Sequence, residues 1–278
     1  MRRIISGIIY VLSAAIGVLA FIYPFFADAS RQHQASTHTQ DAPLITAALV
    51  GLSVVALLVE LQGRAVSAKT VALLGVLVAL TSVLRFIETA VPMPGGFSPI
   101  FAPIILAGYV FGGRFGFLMG TFTLLASALI TGGVGPWLPY QMFTAGWAGM
   151  TAGWLGRISD LQSPISNLRS PVSKTRDRRL EIALLCVFGF AWGLLYGVII
   201  NVYFWPFAAG PASQAWTPGL GLWETLGRYG TFYAVTSLGW DMARAVGNVA
   251  LILLLGPATV RALTRFRRRF HFEVQPDA

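Results

Sequence analysis

Long apolar stretches without charged residues dominate the pattern of hydrophobic and polar positions along the chain. The first covers residues 4–26, which would form a helix about 35 Å long, enough to cross the roughly 30 Å hydrocarbon core of a bilayer. Further stretches follow at residues 44–61, 71–91, 99–111, 115–131, 141–155, 182–205 and 231–255. The pattern therefore predicts an all-α polytopic membrane protein with about eight transmembrane helices.

The composition agrees with this fold class. Of 278 residues, 55% are hydrophobic and 11% are charged, whereas soluble domains carry about 25% charged residues. In a soluble protein the net charge of +9 would suggest a nucleic-acid partner. When the predicted helices alternate in direction, however, 16 of the 20 Lys and Arg fall on one side and only Arg31 and Arg228 on the other. The positive-inside rule then predicts a multi-pass plasma-membrane protein with both termini in the cytoplasm, and it removes nucleic acid as a partner.

The chain divides into three predicted segments. Residues 1–66 hold two helices joined by a polar outer loop, residues 67–260 hold a six-helix core, and residues 261–278 form a basic cytoplasmic tail. A linker rich in Ser, Pro and Arg, residues 157–180, interrupts the core, and its basic side chains are expected to contact anionic lipid headgroups. Residues 1–29 also have the pattern of a signal peptide, but their apolar run exceeds the usual 7–15 residues, so a retained helix is expected.

The sequence lacks the common motifs of hydrolytic and metal-dependent catalysis. Neither a G-x-x-x-x-G-K-[ST] phosphate loop nor an H-E-x-x-H or G-x-S-x-G motif occurs, so the chain has no visible means of hydrolysing ATP. The single cysteine, Cys186, excludes a cysteine metal site, and the three histidines lie outside the predicted helices. We therefore expect no enzyme activity, no catalytic residues, no metal and no cofactor.

Charged residues inside predicted membrane helices are costly and mark candidate functional positions. Asp241 and Arg244 lie three residues apart on one helix face, about eleven residues from the outer end of their helix, and Asn248 continues that face. Because a buried ion pair gains little stability by itself, the pair either fixes helix packing or forms the polar floor of a ligand cavity. Arg85 and Glu88 form a similar pair that either snorkels to the outer headgroups or closes the same cavity.

The segment 131–141, Thr-Gly-Gly-Val-Gly-Pro-Trp-Leu-Pro-Tyr-Gln, is the most distinctive local sequence. Its three glycines and two prolines predict a defined non-helical turn on the outer side. Trp137 and Tyr140 either belong to an interfacial aromatic belt or cap a ligand, with Gln141 supplying hydrogen bonds. Asn201 brings a further amide to the same side. Together with the two charged pairs, these residues predict an outward-facing substrate site.

Small residues follow one face of the helix predicted at residues 71–91 and the turn before it. They are Ala68, Ala72, Gly75 and Ala79, and their spacing gives the small-xxx-small steps that allow two membrane helices to approach closely. This face is the candidate interface with another membrane subunit.

Three segments carry a resemblance to a known family. They are Phe-Ser-Pro-Ile-Phe-Ala-Pro at 97–103 with Phe-Gly-Gly-Arg-Phe-Gly at 111–116, the segment 131–142, and Gly-Trp-Asp-Met-Ala-Arg-Ala-Val-Gly-Asn at 239–248. Over residues 68–260 the chain resembles the S components, the substrate-specific subunits, of energy-coupling factor (ECF) vitamin transporters. The nearest resemblance is to the cobalamin-type subgroup. Two additional N-terminal helices, residues 4–26 and 44–62, depart from the six-helix core of that family.

The resemblance implies a prokaryotic importer subunit that captures a vitamin or its precursor on the outer side. The substrate would be cobalamin or a related corrinoid, although a thiamine precursor or another vitamin stays open. A transmembrane T component and two cytoplasmic ATPases would be the partners, which agrees with the missing phosphate loop. Two rival hypotheses are a secondary transporter that uses Asp241 for proton coupling and a membrane anchor or assembly protein whose polar pairs serve only packing.

Overall fold

The computed structural model describes residues 2–22, 25, 48, 51, 55, 68–91, 94–161, 171–208 and 210–270. Every regular element within these ranges is helical. The α-helices are α1 (Arg2–Ile22), α2 (Ala68–Ala90), α3 (Phe101–Phe111), α4 (Gly113–Thr131), α5 (Leu138–Leu161), α6 (Pro171–Phe204), α7 (Leu222–Thr236) and α8 (Leu238–Phe270). Short 3₁₀ turns lie at Pro94–Gly96 and Trp205–Phe207. The prediction of an all-α protein is therefore confirmed for the described ranges.

Helices α1 to α6 overlap six of the predicted apolar stretches. However, α5 runs to Leu161 and α6 begins at Pro171, so both ends of the linker predicted at residues 157–180 are helical. The stretch predicted at residues 44–61 lies outside the described residues, apart from positions 48, 51 and 55. Within the described ranges, four helical segments are long and apolar enough to cross a membrane: Lys69–Ala90, Gly113–Thr131, Arg178–Phe207 and Leu238–Arg267. A multi-pass membrane protein is confirmed in this coarser sense, whereas the number of spans and the side of the termini stay predictions.

The prediction of one helix over residues 231–255 is wrong. The chain breaks at Ser237, where α7 ends and α8 begins, so Asp241 lies in the first turn of α8 and not deep inside a helix. Ser237 is held by a tertiary contact, since its Oγ accepts a 2.8 Å hydrogen bond from Nδ2 of Asn201. Its carbonyl accepts the backbone N–H of Asp241 and so starts the new helix. Apolar periodicity continues across this position and gives no signal of the break.

The centre of the molecule is formed by α3, α4 and α5, which approach closely through glycine. Gly116 on α4 faces Gly149 on α5, and a Cβ added to either would overlap the carbonyl of the other. Gly153 likewise leaves no room for a side chain beside the backbone of Gly113. Such contacts allow backbones to pack directly in a membrane, where dispersion rather than burial from water drives association.

Helices α6 and α8 pack antiparallel along a second glycine-lined contact, which we call the α6–α8 seam. Gly189, Gly193 and Gly197 face α8 at intervals of four residues. A Cβ on Gly193 would lie 2.6 Å from the backbone nitrogen of Ala245, and one on Gly197 would overlap the carboxylate of Asp241. The small side of α6 therefore makes the space that the polar face of α8 occupies.

Helices α1, α2 and α7 lie on the outside of this core. Helix α2 packs on α4, where Oγ of Ser82 donates a 3.3 Å hydrogen bond to the carbonyl of Thr123. Helix α1 packs on α5 and α6, with Gly17 against the rings of Phe143 and Trp147, and α7 packs on α8. One of the additional N-terminal helices is thus seated directly on the helices that follow it.

Candidate functional site

A cavity of about 170 Å³ lies between the C-terminal ends of α2 and α4 and the start of α5. We call it the outer cavity, after the side on which the distribution of basic residues predicts it. It is lined by Arg85, Thr89, Leu124, Ser127, Ala128, Thr131, Gly133, Trp137 and Gln141. Three of the predicted substrate-binding residues, Arg85, Trp137 and Gln141, therefore meet at one place. They come from separate elements, which only the packing of α2 and α5 against α4 brings together.

The turn between α4 and α5 forms one wall of the outer cavity. It begins where α4 ends at Gly132, whose φ of 67° lies in the left-handed region that glycine adopts without strain. The indole Nε1 of Trp137 donates a 3.2 Å hydrogen bond to the carbonyl of Gly133, which ties the ring to the turn. The ring is 43% exposed, so it lies at the mouth of the cavity and not inside it. The predicted non-helical turn is confirmed for residues 132–137, whereas Leu138 to Gln141 already belong to α5.

Arg85 is held in place by an ion pair on its own helix. Its guanidinium donates a 2.8 Å hydrogen bond to Oε1 of Glu88, and Oγ of Ser98 donates a 2.9 Å hydrogen bond to Oε2 of the same carboxylate. Ser98 follows the 3₁₀ turn between α2 and α3. The predicted pair is therefore formed. Glu88 does not line the cavity itself, and it holds the guanidinium of Arg85 in position from outside the cavity.

Tyr140 lies away from the outer cavity, in the interior. Its ring stacks face to face on that of Tyr203, with centroids 4.1 Å apart and planes 7° apart. Phe21 of α1 packs edge-on against the other side of Tyr140 at 5.0 Å. The α1 helix thus contributes to an aromatic cluster between α5 and α6, which the sequence pattern does not reveal.

Asp241 and Arg244 form the predicted ion pair at the end of the α6–α8 seam where α8 begins. Asp241 is only 2% exposed. The guanidinium of Arg244 lies over the ring of Tyr196, 4.9 Å from its centroid, and over that of Phe101 at 5.9 Å. Such placement over aromatic faces stabilises a cation that has little access to water. Neither charged residue lines the outer cavity.

The two predicted amides bridge helices. Nδ2 of Asn248 donates a 2.9 Å hydrogen bond to the carbonyl of Gly189. Nδ2 of Asn201 donates to the carbonyl of Gly197 at 2.9 Å and to Ser237. Within the described ranges, Oδ1 of Asn248 and Oδ2 of Asp241 are buried without a hydrogen-bond partner. These residues serve the seam between α6 and α8 and its junction with α7.

Tyr196 lies beside the Asp241–Arg244 pair, and the sequence pattern does not single it out. It lies on α6 between Gly193 and Gly197, packs on Phe101 with ring centroids 4.6 Å apart, and has the guanidinium of Arg244 over its ring at 4.9 Å. Its position between two glycines on a seam-facing stretch is the signal that points to it. The aromatic ring that holds Arg244 thus comes from the same helix as the glycines of the seam.

The candidate partner face on α2 is open. Ala72, Gly75 and Ala79 are exposed, and nothing lies within 4 Å of a Cβ added to Gly75. Large apolar side chains on the same side of the helix, among them Val76 and Leu80, are also exposed. The side chain of Ala68 lies outside the described part of the chain.

Comparison with known proteins gives one family match. A profile for "ECF transporter, substrate-specific component" matches residues 69–256, about two thirds of the chain. The matched range runs from α2 into α8, covers the outer cavity and the α6–α8 seam, and leaves out α1. No curated protein and no solved structure matches the chain.

Proposed function

Since the chain belongs to the family of ECF transporter substrate-specific components, we propose that it captures a vitamin or vitamin precursor for an ATP-driven importer. Components of this family work with a transmembrane T component and ATPases. We therefore assign ATP hydrolysis to two partner ATPases in the cytoplasm. The chain itself would be a multi-pass subunit of a prokaryotic plasma membrane.

The observation that carries this proposal is the outer cavity beneath the turn that joins α4 and α5. Arg85, Trp137 and Gln141 line it together, and its mouth is on the side that the distribution of basic residues assigns to the exterior. In the proposed mechanism the substrate enters this cavity from outside. ATP hydrolysis in the partner subunits then reorients the chain and releases the substrate inside.

The proposed contact with the T component is the exposed face of α2. Its small side chains at Ala72, Gly75 and Ala79 would let a partner helix approach to backbone distance. This face and the outer cavity lie on different sides of α2, because Arg85 is turned towards α4 and α5 while Gly75 has open space beside it. Partner binding and substrate binding would thus use separate surfaces.

The size of the outer cavity limits the substrates it can hold as it stands. Pockets for drug-sized ligands typically measure about 300–1,000 Å³, whereas this cavity measures about 170 Å³. A corrinoid, the substrate that the sequence resemblance suggests, would need the turn before α5 and the end of α2 to move apart.

A stabilisation screen followed by reconstitution tests the proposal. One vitamin among cyanocobalamin, thiamine, riboflavin, biotin, nicotinate and pantothenate should raise the melting temperature of the purified chain, since a ligand that binds only the folded state stabilises it. In liposomes, accumulation of that vitamin should require the T component and the ATPases. Accumulation by the chain alone would contradict the mechanism and favour a secondary transporter, and the absence of any stabilising vitamin would favour a membrane anchor.

A further inference from the structure

Most hydrogen-bond donors among the side chains that line the outer cavity are already used within the protein. The hydroxyls of Thr89, Ser127 and Thr131 donate to the backbone carbonyls of Phe86, Leu124 and Ser127, and the indole of Trp137 donates to Gly133. These groups have no proton left for a ligand. A hydroxyl that donates keeps its acceptor lone pairs, so each of these oxygens can still accept.

Two side chains retain free donors. A guanidinium carries five N–H donors, and Arg85 uses one of them on Glu88 within the described ranges. The amide of Gln141 forms no side-chain hydrogen bond with any residue that the structure describes, so both of its N–H groups are available. Arg85 is also the single charged residue among the lining residues of the cavity.

These groups select a particular ligand chemistry. A planar carboxylate offers acceptors in the geometry that a guanidinium fork matches, and such charge-assisted hydrogen bonds are stronger than neutral ones. The volume of about 170 Å³ favours a compact molecule. A cationic ligand would meet the guanidinium of Arg85, because the carboxylate of Glu88 that pairs with it does not line the cavity.

We propose that the substrate of the outer cavity is a small carboxylate, whose oxygens accept hydrogen bonds from Arg85 and Gln141. This inference rests on the proposed function of the same cavity. The hydroxyl oxygens of Thr89, Ser127 and Thr131 then accept N–H or O–H groups from the remainder of the molecule. Trp137 covers the mouth, where its exposed ring packs on the ligand's apolar part.

Matched pairs of acids and neutral analogues test the charge requirement. Nicotinate with nicotinamide, biotin with biotinamide, and pantothenate with pantothenol are compared by thermal shift and by titration calorimetry on the full purified chain, with thiamine and cyanocobalamin alongside. At least one acid should raise the melting temperature, and its neutral partner should bind at least about tenfold more weakly, since it lacks the charge that strengthens the hydrogen bonds from Arg85.

Two cavity variants and one control locate the binding site. Arg85→Gln should weaken binding of that acid at least about tenfold while affinity for the neutral partner changes little. Gln141→Met keeps the side-chain length and removes the amide, so it tests the proposal even where the loss of Arg85 impairs folding. Arg228→Gln is the matched control, because it removes the same charge from an ion pair with Glu224 on α7, away from the cavity.

The outcomes separate this inference from the proposed function. Equal binding of an acid and its neutral partner, or unchanged affinity in both cavity variants, would overturn the proposal of a carboxylate substrate. Stabilisation by thiamine or cyanocobalamin, with none by any acid, would overturn that proposal and leave the proposed capture of a vitamin standing. Failure of the whole panel to bind would count against both.

Discussion

Replacing Gly197 by alanine should destabilise the protein through one contact in the α6–α8 seam. The three heavy atoms nearest to an added Cβ all belong to the carboxylate of Asp241. That carboxylate is buried and paired with Arg244, so it has no water to move into. The added methyl group must either push the helices apart or drive the carboxylate out of its ion pair.

The energies of these two responses bracket the expected loss in the free energy of unfolding. Overpacking that is relieved by a small helix shift costs about 1–3 kcal/mol, and breaking a buried ion pair costs about 3–5 kcal/mol. Gly75 supplies the matched control, because it is also a helical glycine but nothing lies within 4 Å of its added Cβ. Gly75→Ala should leave stability unchanged or raise it by up to about 1 kcal/mol through helix propensity.

Reversible unfolding of the purified variants in mixed micelles measures both changes, and a double-mutant cycle identifies the cause. In an Asp241→Ala background the obstructing atoms are gone, so Gly197→Ala should cost less than about 0.5 kcal/mol. The reasoning would be refuted if Gly197→Ala were as stable as Gly75→Ala. It would also be refuted if the substitution cost the same with and without the Asp241 carboxylate.

The remaining predictions concern the helices α1 and α2. Gly75→Leu should abolish co-purification with the T component and leave the melting temperature of the isolated chain unchanged; a loss of stability in the isolated chain would mean that this face is not free. Phe21→Ala should cost about 3–5 kcal/mol in the same unfolding assay, because the ring is 5% exposed and packs on Tyr140. Leu19→Ala, at a position 66% exposed on the same helix, should cost less than about 0.5 kcal/mol, and equal effects at the two positions would show that α1 is not seated on α5 as described.

The sequence predicts local features of this protein well and their grouping only in part. Arg85–Glu88 and Asp241–Arg244 are both formed, since residues three apart on a helix are neighbours whatever the helix packs against. The expectation that both pairs and both amides line one site with Trp137, Tyr140 and Gln141 does not describe the outer cavity. Of the predicted residues, Arg85, Trp137 and Gln141 line it, because the direction in which each helix face points depends on the neighbouring helices.

The glycines illustrate the same limit. The four-residue spacing of small residues occurs on the face of α2 around Gly75, which is open, and occurs equally before Gly116, Gly153 and Gly193, where backbones meet. A glycine at a helix contact and one on a free surface have the same local sequence signature. Only the partner helix distinguishes them.

The sequence by itself determined the all-helical membrane class, the positions of α1 to α6 and the two ion pairs. These follow from the cost of exposing apolar residues to water or charges to lipid and from the fixed rise and turn of a helix. Only the tertiary structure decided that the chain breaks at Ser237, that Tyr140 stacks on Tyr203, and that three distant residues share the outer cavity. Each of these depends on contacts between residues far apart in the chain, and hydrophobic periodicity carries no information about which helix faces meet.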